Sequence, residues 1–518
     1  MKRALVILLA SFFGIASAQK PLTSKQIDSL VAKTMSVMPL AGISVAVVKD
    51  GKVVHSKGYG VNSIITKEKT DDNTLFAIAS NSKAFTSTAL GMLVDEGKLK
   101  LQDRVIKYIP EFKMYDPWIT ENFMIVDLLT HRSGLGLGAG DLMFFPDGGN
   151  FTIKDVLNSF QYQKPTSQFR TKYDYDNLLY MVAGEVVARV SGMSWTDFIE
   201  KRIMGPLVMK RSVGIYGNLK DQKNLALPHS VVNNQLKQIT PYAESDAPMA
   251  AAGGIMSSAV DLSQWVMMHL KEGKYEDGKQ LISERSHREL WKPHTNISFR
   301  VNGDARYKNH FEAYGLGFDV LDRNGYIELS HTGGLPGMLS KISMIPELNF
   351  GVIVLSNTDP GGYSFITVAQ SIIDSYLNLK PEDHISRIQK YIQSNTGASD
   401  SVTNAVWNIT KSAKYVGDLK AYVGTYHDNW FGDINVTLKG SQLWMTAARS
   451  PKLNGSMHYY KGNTFAVKWD YQEMPADAFA IFSLDEEGKA TGIKMKAISP
   501  NTDFSFDFHD LDLKRVGK

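Results

Sequence analysis

The stretch Phe76-Ala77-Ile78-Ala79-Ser80-Asn81-Ser82-Lys83-Ala84-Phe85-Thr86 constrains this chain more than any other. A short apolar run ends in a small residue. From Ser80 the pattern continues as Ala84, Phe85, Ala89, Leu90, Met92, Leu93 and Val94 at helical spacing, and it stops at Gly97. The spacing predicts a buried helix with Ser80 in its first turn. Lys83 lies three residues on, on nearly the same face and roughly 4.5 Å further along the axis, so its amine can reach the Ser80 hydroxyl. Serine is a poor nucleophile unless a base takes its proton, and an unprotonated amine can do so. Burial, the positive end of the helix dipole and nearby cations all lower a lysine's hold on its proton. Backbone N–H groups at the same helix start suit a developing oxyanion. By itself Ser-x-x-Lys says little, since Ser17 to Lys20 repeats it.

The 518 residues, 43% hydrophobic and 21% charged, allow two or three domains and a large core. A net charge of +4 is small for this length, and the basic residues are scattered, so neither nucleic acid nor an anionic membrane is implied as a partner. Lys2 and Arg3 precede an apolar run from Ala4 to Ile15, and Ala16-Ser17-Ala18 supplies small residues for cleavage. Residues 1–18 read as a secretory signal, which predicts a periplasmic or secreted protein with no membrane insertion after cleavage. With no cysteine there is no disulfide and no thiolate chemistry. The 12 histidines are dispersed without H-E-x-x-H, so no metal and no cofactor is expected.

In chain order, a helix is predicted over Ser24 to Met38. Strands Gly42–Lys49 and Val53–Lys57 follow, joined by the hairpin signal Asp50-Gly51. Ile125 to Leu135 reads as a helix closing into a turn, where His131 is expected to cap or pack. Tyr175 and Asn177 lie two apart before a helical segment, Leu178 to Val190, where a phenol and a carboxamide can both face a cleft. Asp176 between them is expected to point to solvent. A glycine-hinged turn at Ala251 to Gly254 feeds a helix through Leu270. Strands are predicted at Tyr314–Phe318, Tyr326–Ser330 running into His331-Thr332-Gly333-Gly334, Met338–Ile345 and Asn349–Ser356, before a last helix, Phe365 to Leu377. Strands at both ends with helices between give an α+β layering. Residues 381–418, polar and weakly patterned, read as a linker. Seven short alternating strands (Ala421–Tyr426, Ile434–Leu438, Gln442–Thr446, Phe465–Trp469, Phe479–Phe482, Gly492–Ala497, Phe504–Phe508) then predict a small all-β barrel over 419–518.

Ser80-x-x-Lys83, Tyr175-x-Asn177 and His331-Thr332-Gly333 together resemble the penicillin-recognising serine hydrolases: class C β-lactamases, D-aminopeptidases, DD-carboxypeptidases and family VIII esterases. Leu128-Leu-Thr-His-Arg-Ser-Gly-Leu135, Gly253-Gly254 with Ser257 to Leu262, and Tyr314-Gly-Leu-Gly are similar to further segments of that family. The resemblance implies, over 19–380, a β-lactamase/transpeptidase-like fold: an antiparallel sheet flanked by helices plus a helical subdomain. It implies Ser80 as the acylated nucleophile and Lys83 with Tyr175 as the coupled base and later acid. Asn177, His331, Thr332 and Gly333 would bind substrate, with Asn177 donating to the substrate's amide side. The N–H groups of Ser80 and Gly334 would form the oxyanion hole. The third motif begins with His331 where class C β-lactamases have lysine, as in the peptidase branches. A histidine there, titrating near neutrality, suits amide or ester turnover.

The expected function is an exported serine hydrolase forming an acyl-enzyme with short peptides or amides carrying D-residues, or with esters. A β-lactamase is a second reading, and a penicillin-binding sensor or degenerate homologue a third. The C-terminal barrel reads either as a cap that narrows the cleft or as a passive stabilising or oligomerising module.

Overall fold

The structure, a computed structural model, describes residues 20–232, 235–242, 248–359 and 362–517; the segment read as a signal, 1–18, lies outside the described residues. Helix α1 (Ser24–Val37) is capped by Thr23, whose hydroxyl oxygen accepts from the Gln26 N–H. Strands β1 (Gly42–Lys49) and β2 (Lys52–Gly60) turn at Asp50-Gly51, both at positive φ, 51° and 71°. They belong to an eight-stranded antiparallel sheet with β3 (Thr295–Phe299), β4 (Phe311–Tyr314), β5 (Asp319–Arg323), β6 (Tyr326–Leu335), β7 (Met338–Ile345) and β8 (Phe350–Ser356), in the order β2-β1-β8-β7-β6-β5-β4-β3.

Alternation along β1 shows how both faces are covered. Ile43, Val45 and Val47 pack with Ile27 and Val31 of α1, whereas Ala46 and Val48 join the larger core on the opposite face. That core receives α2 (Ser82–Asp95), α3 (Asn177–Ser191) and α4 (Ala259–Leu270), while α5 (Gly362–Tyr376) lies with α1. Every residue of α2 from Ser82 to Leu93 is buried, as its apolar periodicity predicts.

Tyr314–Phe318, expected as a strand, is a strand end and a turn. β4 stops at Tyr314, and Gly317, at φ 83°, reverses the chain against α2, where an added Cβ would stand 2.8 Å from the Ala84 Cα.

Within 381–418, read as a polar linker, the structure has a 29-residue helix, α6 (His384–Ser412), capped by the Asp383 carboxylate. Its apolar contacts are sparse and scattered, with Tyr391 edge-on to Tyr363. Ile385 packs with Met38 and Leu40, and Val406 packs with Ala466 and Ile498. No continuous stripe reports it in the sequence.

The C-terminal region closes as an eight-stranded barrel of β9 (Gly424–Asp428), β10 (Gly432–Lys439), β11 (Gln442–Ala447), β12 (Asn454–Lys461), β13 (Thr464–Trp469), β14 (Ala478–Leu484), β15 (Ala490–Ala497) and β16 (Leu513–Val516). β12 and β16 were not among the seven expected strands. Phe504–Phe508, expected as one, is a loop: Asp503 accepts the Ser505 N–H on its side chain and the Phe506 N–H on its carbonyl, which bends the chain out of strand geometry. The barrel is seated on the larger region. Phe151 stacks on Phe431, and the Arg449 guanidinium lies over Phe151 while binding both oxygens of Asp155 at 2.7 and 2.9 Å.

Candidate active site

A two-residue strand, Phe76–Ala77, leads through Ile78 into a tight helical turn, Ala79–Asn81, that runs straight into α2. Ala79 is held at φ 48°, a left-handed conformation costly for a residue with a Cβ, immediately before Ser80. Neighbours on β6 and β7 lock this turn. Ser340 Oγ donates to the Ile78 carbonyl at 2.6 Å and accepts from Asn81 Nδ2 at 2.8 Å. A Cβ at Gly333 would stand 2.2 Å from the Ile78 oxygen and 3.0 Å from the Ser80 nitrogen, so only glycine fits there. β5 pairs with β6 only as far as Ser330, which leaves His331 to Leu335 to run past it beside the Ser80 turn.

Ser80 opens into a cavity of about 350 Å³, and Lys83 is fully buried behind it. The Lys83 Nζ lies 3.1 Å from Ser80 Oγ, 2.7 Å from Asn177 Oδ1 and 2.9 Å from the Ala252 carbonyl oxygen. The last two are oxygens that only accept. A neutral amine has two hydrogens, so both are spoken for, and its lone pair is left facing the Ser80 hydroxyl. Burial pushes the Lys83 pKa down to about 7, although Asp141 and Asp176 pull the other way. The amine is therefore both aimed and poised to take the serine proton.

The Tyr175 ring lies under the Lys83 amine, 4.8 Å from Nζ to its centre. Its hydroxyl lines the cavity without an internal hydrogen-bond partner, and burial raises its pKa well above the ordinary phenol value, with Ser80 the neighbour that opposes the rise. The phenol is thus a proton donor at neutral pH. The expected shared proton between lysine and tyrosine is not seen as a hydrogen bond, because the amine's hydrogens go to carbonyls.

Three expectations need correction. Asn177 was expected to donate toward substrate, but its Nδ2 donates to Asp141 Oδ2 at 2.7 Å and its Oδ1 accepts from Lys83. His331 was expected to titrate near neutrality. Burial first, then the Lys83 charge, pushes it down to about 3. Its Nδ1 faces the Thr332 carbonyl, so that nitrogen carries the hydrogen, and Nε2 accepts from the Tyr314 hydroxyl at 3.0 Å. His331 is a neutral wall group. Asp176, expected in solvent, is fully buried as the cap of α3, accepting from the Leu179 N–H, with its carboxyl pushed up to about 7 by burial. Its own N–H donates to His131 Nδ1, a buried neutral histidine packed 4.1 Å from the Tyr175 ring, which fits the packing role expected for His131.

Thr332, Gly334 and Leu335 line the cavity along one side. Two groups have no counterpart in the sequence reading. Asp141, on a short turn after Gly140 at φ 83°, is buried beside Asn177. Asp503, Phe504, Ser505 and Phe506, from the barrel, close the cavity's far side. No motif spacing announces either one, because the partners come from separate parts of the chain.

Residues 27–375 match the family model described as Beta-lactamase, and residues 411–515 match a domain of unknown function, DUF3471. Over 345 residues, 65% of its length, the chain is 28% identical to Protein flp of Staphylococcus aureus (strain MW2) and spans 63% of that protein. Over 389 residues, 73% of its length, it is 27% identical to the unguisins hydrolase ungD' of Aspergillus campestris (strain IBT 28561), of which it covers 70%. In fold it is similar to the octameric penicillin-binding protein homologue from Pyrococcus abyssi, with a TM-score of 0.61 and 20% identity, covering 93% of this chain and 99% of that one.

Proposed function

From the premise that the chain belongs to the Beta-lactamase family of serine hydrolases, we propose that Ser80 is acylated by short peptides or amides bearing a free amino group, or by small esters. The observation that carries this reading is the Lys83 amine, whose hydrogens are taken by Asn177 and Ala252 so that its lone pair faces the Ser80 hydroxyl. In this reading the lysine takes the serine proton as Oγ attacks the carbonyl. The N–H groups of Ser80 and Gly334 hold the oxyanion, and the neutral Tyr175 phenol gives a proton to the leaving amine. Water then attacks the acyl carbonyl and gives its proton to the Tyr175 phenolate, and Lys83 returns its proton to Ser80 Oγ as the acyl group leaves as the acid.

The cavity lining supports amine-bearing substrates. Among the described residues, its ionisable side chains besides His331 and the tyrosines are Asp319, Asp359 and Asp503, and no lysine or arginine lines it. A carboxylate, whether of a peptide C-terminus or of a β-lactam, would meet no cation among these described lining groups, and like charge from whichever aspartates are ionised, burial having lifted Asp319 to about 7 and Asp359 to about 6. An ammonium would meet carboxylates. This favours the peptidase reading over the β-lactamase one. The D-configuration enters from the family likeness alone, and the protein called unguisins hydrolase shows a hydrolase among the relatives. Export rests on the reading of residues 1–18 as a signal, and N-terminal sequencing of the mature protein checks it.

The test is a panel: D-alanyl and L-alanyl p-nitroanilide, N-acetyl-D-alanyl p-nitroanilide, p-nitrophenyl butyrate and a chromogenic cephalosporin. The expected result is turnover of the free-amine D-substrate at least about tenfold above its acetylated form, and loss of about 10³-fold or more in Ser80→Ala. Faster turnover of the cephalosporin than of any anilide would replace this reading with β-lactamase. Activity surviving in Ser80→Ala would remove the serine from the reaction.

A further inference from the structure

We infer that the C-terminal barrel is a working part of the catalytic site, and that its Ser505 is a positioning residue holding Lys83 through Asp141 and Asn177. The inference rests on Lys83 acting as the base of Ser80, as proposed above. Ser505 Oγ donates to Asp141 Oδ2 at 3.0 Å across 364 residues of chain. The same carboxylate oxygen accepts Asn177 Nδ2 at 2.7 Å, and the other end of that amide, Oδ1, accepts from the Lys83 amine at 2.7 Å. Ser505, Asp141, Asn177 and Lys83 are all buried, with Ser505 and Asn177 at the cavity wall. Asp507, on the same barrel loop, accepts the N–H groups of Gly140 and Leu142 at 2.8 Å each, the two residues flanking Asp141. One loop of the barrel therefore grips the Asp141 turn by its backbone and by its side chain.

The chain of contacts matters because an amide has two unlike ends. While Asp141 acts as an acceptor, Asn177 must turn its NH₂ toward it and its oxygen toward Lys83. Were the amide reversed, it would present hydrogens to the amine and compete with Ser80 for the lone pair. Asp141 plays that part whenever its Oδ2 carries no hydrogen, whether as a carboxylate or as an acid protonated on Oδ1, which has no other partner. Burial first, then Asp176 and Asp507, pushes its pKa well above the ordinary carboxylate value, while Asn177, Ser505 and Lys83 favour the ionised form. Around Lys83 the other facing groups are Asp176, the neutral His131 and His331, and the Tyr175 and Tyr180 rings. Without the Ser505 hydroxyl, Asp141 loses a donor that favours its ionised form, so the counter-charge it lends the amine falls and the lysine releases its proton at lower pH.

The test is carried out on the full chain with lysine labelled with carbon-13 at Cε, following the Lys83 signal against pH by NMR and assigning it by its loss in Lys83→Met. Ser505→Ala is expected to move the Lys83 midpoint down by about 0.5 pH unit or more, and to lower kcat on the best panel substrate about tenfold. Ser505→Thr, which keeps a hydroxyl, is expected to hold the wild-type midpoint. Ser505→Gly serves as a second hydroxyl-free variant should Ser505→Ala fail to fold. A midpoint unmoved in a folded hydroxyl-free variant overturns the inference, whatever the turnover. Failure of the hydrolase reading is seen separately, as turnover that survives Ser80→Ala.

Discussion

Lys83 owes its chemistry to what surrounds it, since the same side chain on a surface would be an ammonium at any physiological pH. Burial removes that option, and two carbonyl oxygens settle which way the lone pair points. The pH dependence follows with a definite sign. In the proposed reaction the neutral amine is the active form, so kcat/KM should rise as pH increases through about 7, where burial has placed the lysine. His331 does not contribute a limb in that region, being held neutral far below it. A pH–rate profile from pH 5 to 9 checks this, and an acid limb centred near 9 or above would mean that the amine is not desolvated in solution. Lys83→Arg, which keeps a charge but cannot shed its proton, should lose activity about 10³-fold or more. Ser80, Lys83 and Tyr175 were legible in the sequence because their contacts are local or carried by ordered motifs. Asp141 and Ser505 were not, for each takes its meaning from a partner far along the chain. Asp176 was misread because a carboxylate between two motif residues looks solvent-facing until the helix it caps is seen in place.

The decisive unit among the elements is the contact of β6 with the turn before α2, where a strand backbone approaches another backbone closely enough to exclude a methyl group. Gly333→Ala should force that contact apart, since its Cβ would meet the Ile78 carbonyl at 2.2 Å and Ser340 Oγ at 2.5 Å. Overpacking of this kind costs about 1–3 kcal/mol in stability. Because the displaced segment carries Ser80, the loss in kcat should be far larger, about 10²-fold or more. Gly334→Ala is the matched comparison. Its Cβ would meet only the Leu339 Cδ2 at 3.4 Å, so stability should be nearly unchanged. Thermal unfolding and steady-state kinetics on the two variants follow these outcomes; equal loss of stability in both would deny the turn its special role. The elements with strong periodicity were the legible ones: α1, the β1–β2 hairpin and α2 follow from spacing and turn chemistry alone. The helix α6 was not, because its contacts with the rest of the molecule are scattered single side chains and most of its length is polar. The loop at 503–507 alternates like a strand, and only Asp503 folding back on the next amides, with Asp507 reaching another domain, shows otherwise.

At the scale of the whole molecule, a barrel that completes a catalytic cavity must be held in one orientation, and loose docking would cost activity before it cost folding. The structure meets that need with a specific clamp beside an apolar seam. Arg449 binds Asp155 through two nitrogens and lies on the Phe151 ring, Phe151 stacks on Phe431, and Lys452 pairs with Asp147 at 2.7 Å. Arg449 holds the Asp155 carboxyl well below the usual carboxylate range. A carboxylate whose pKa is lowered in the folded state contributes stability above its unfolded value, and loses that contribution as pH falls below it. Arg449→Ala should therefore destabilise by about 1 kcal/mol at pH 7, in keeping with a partly exposed ion pair that also packs on a ring. The difference from wild type should shrink below about pH 4. Calorimetry of the wild-type chain should show one cooperative transition, because the apolar core runs continuously from the sheet region into the barrel. In Arg449→Ala combined with Lys452→Ala the transition should broaden or split, and kcat should fall at temperatures below its onset, as the 503–507 loop leaves the cavity while both parts remain folded. Full activity retained while the transition splits would mean that the barrel keeps its place at the site by the apolar seam and the Asp507 contacts alone.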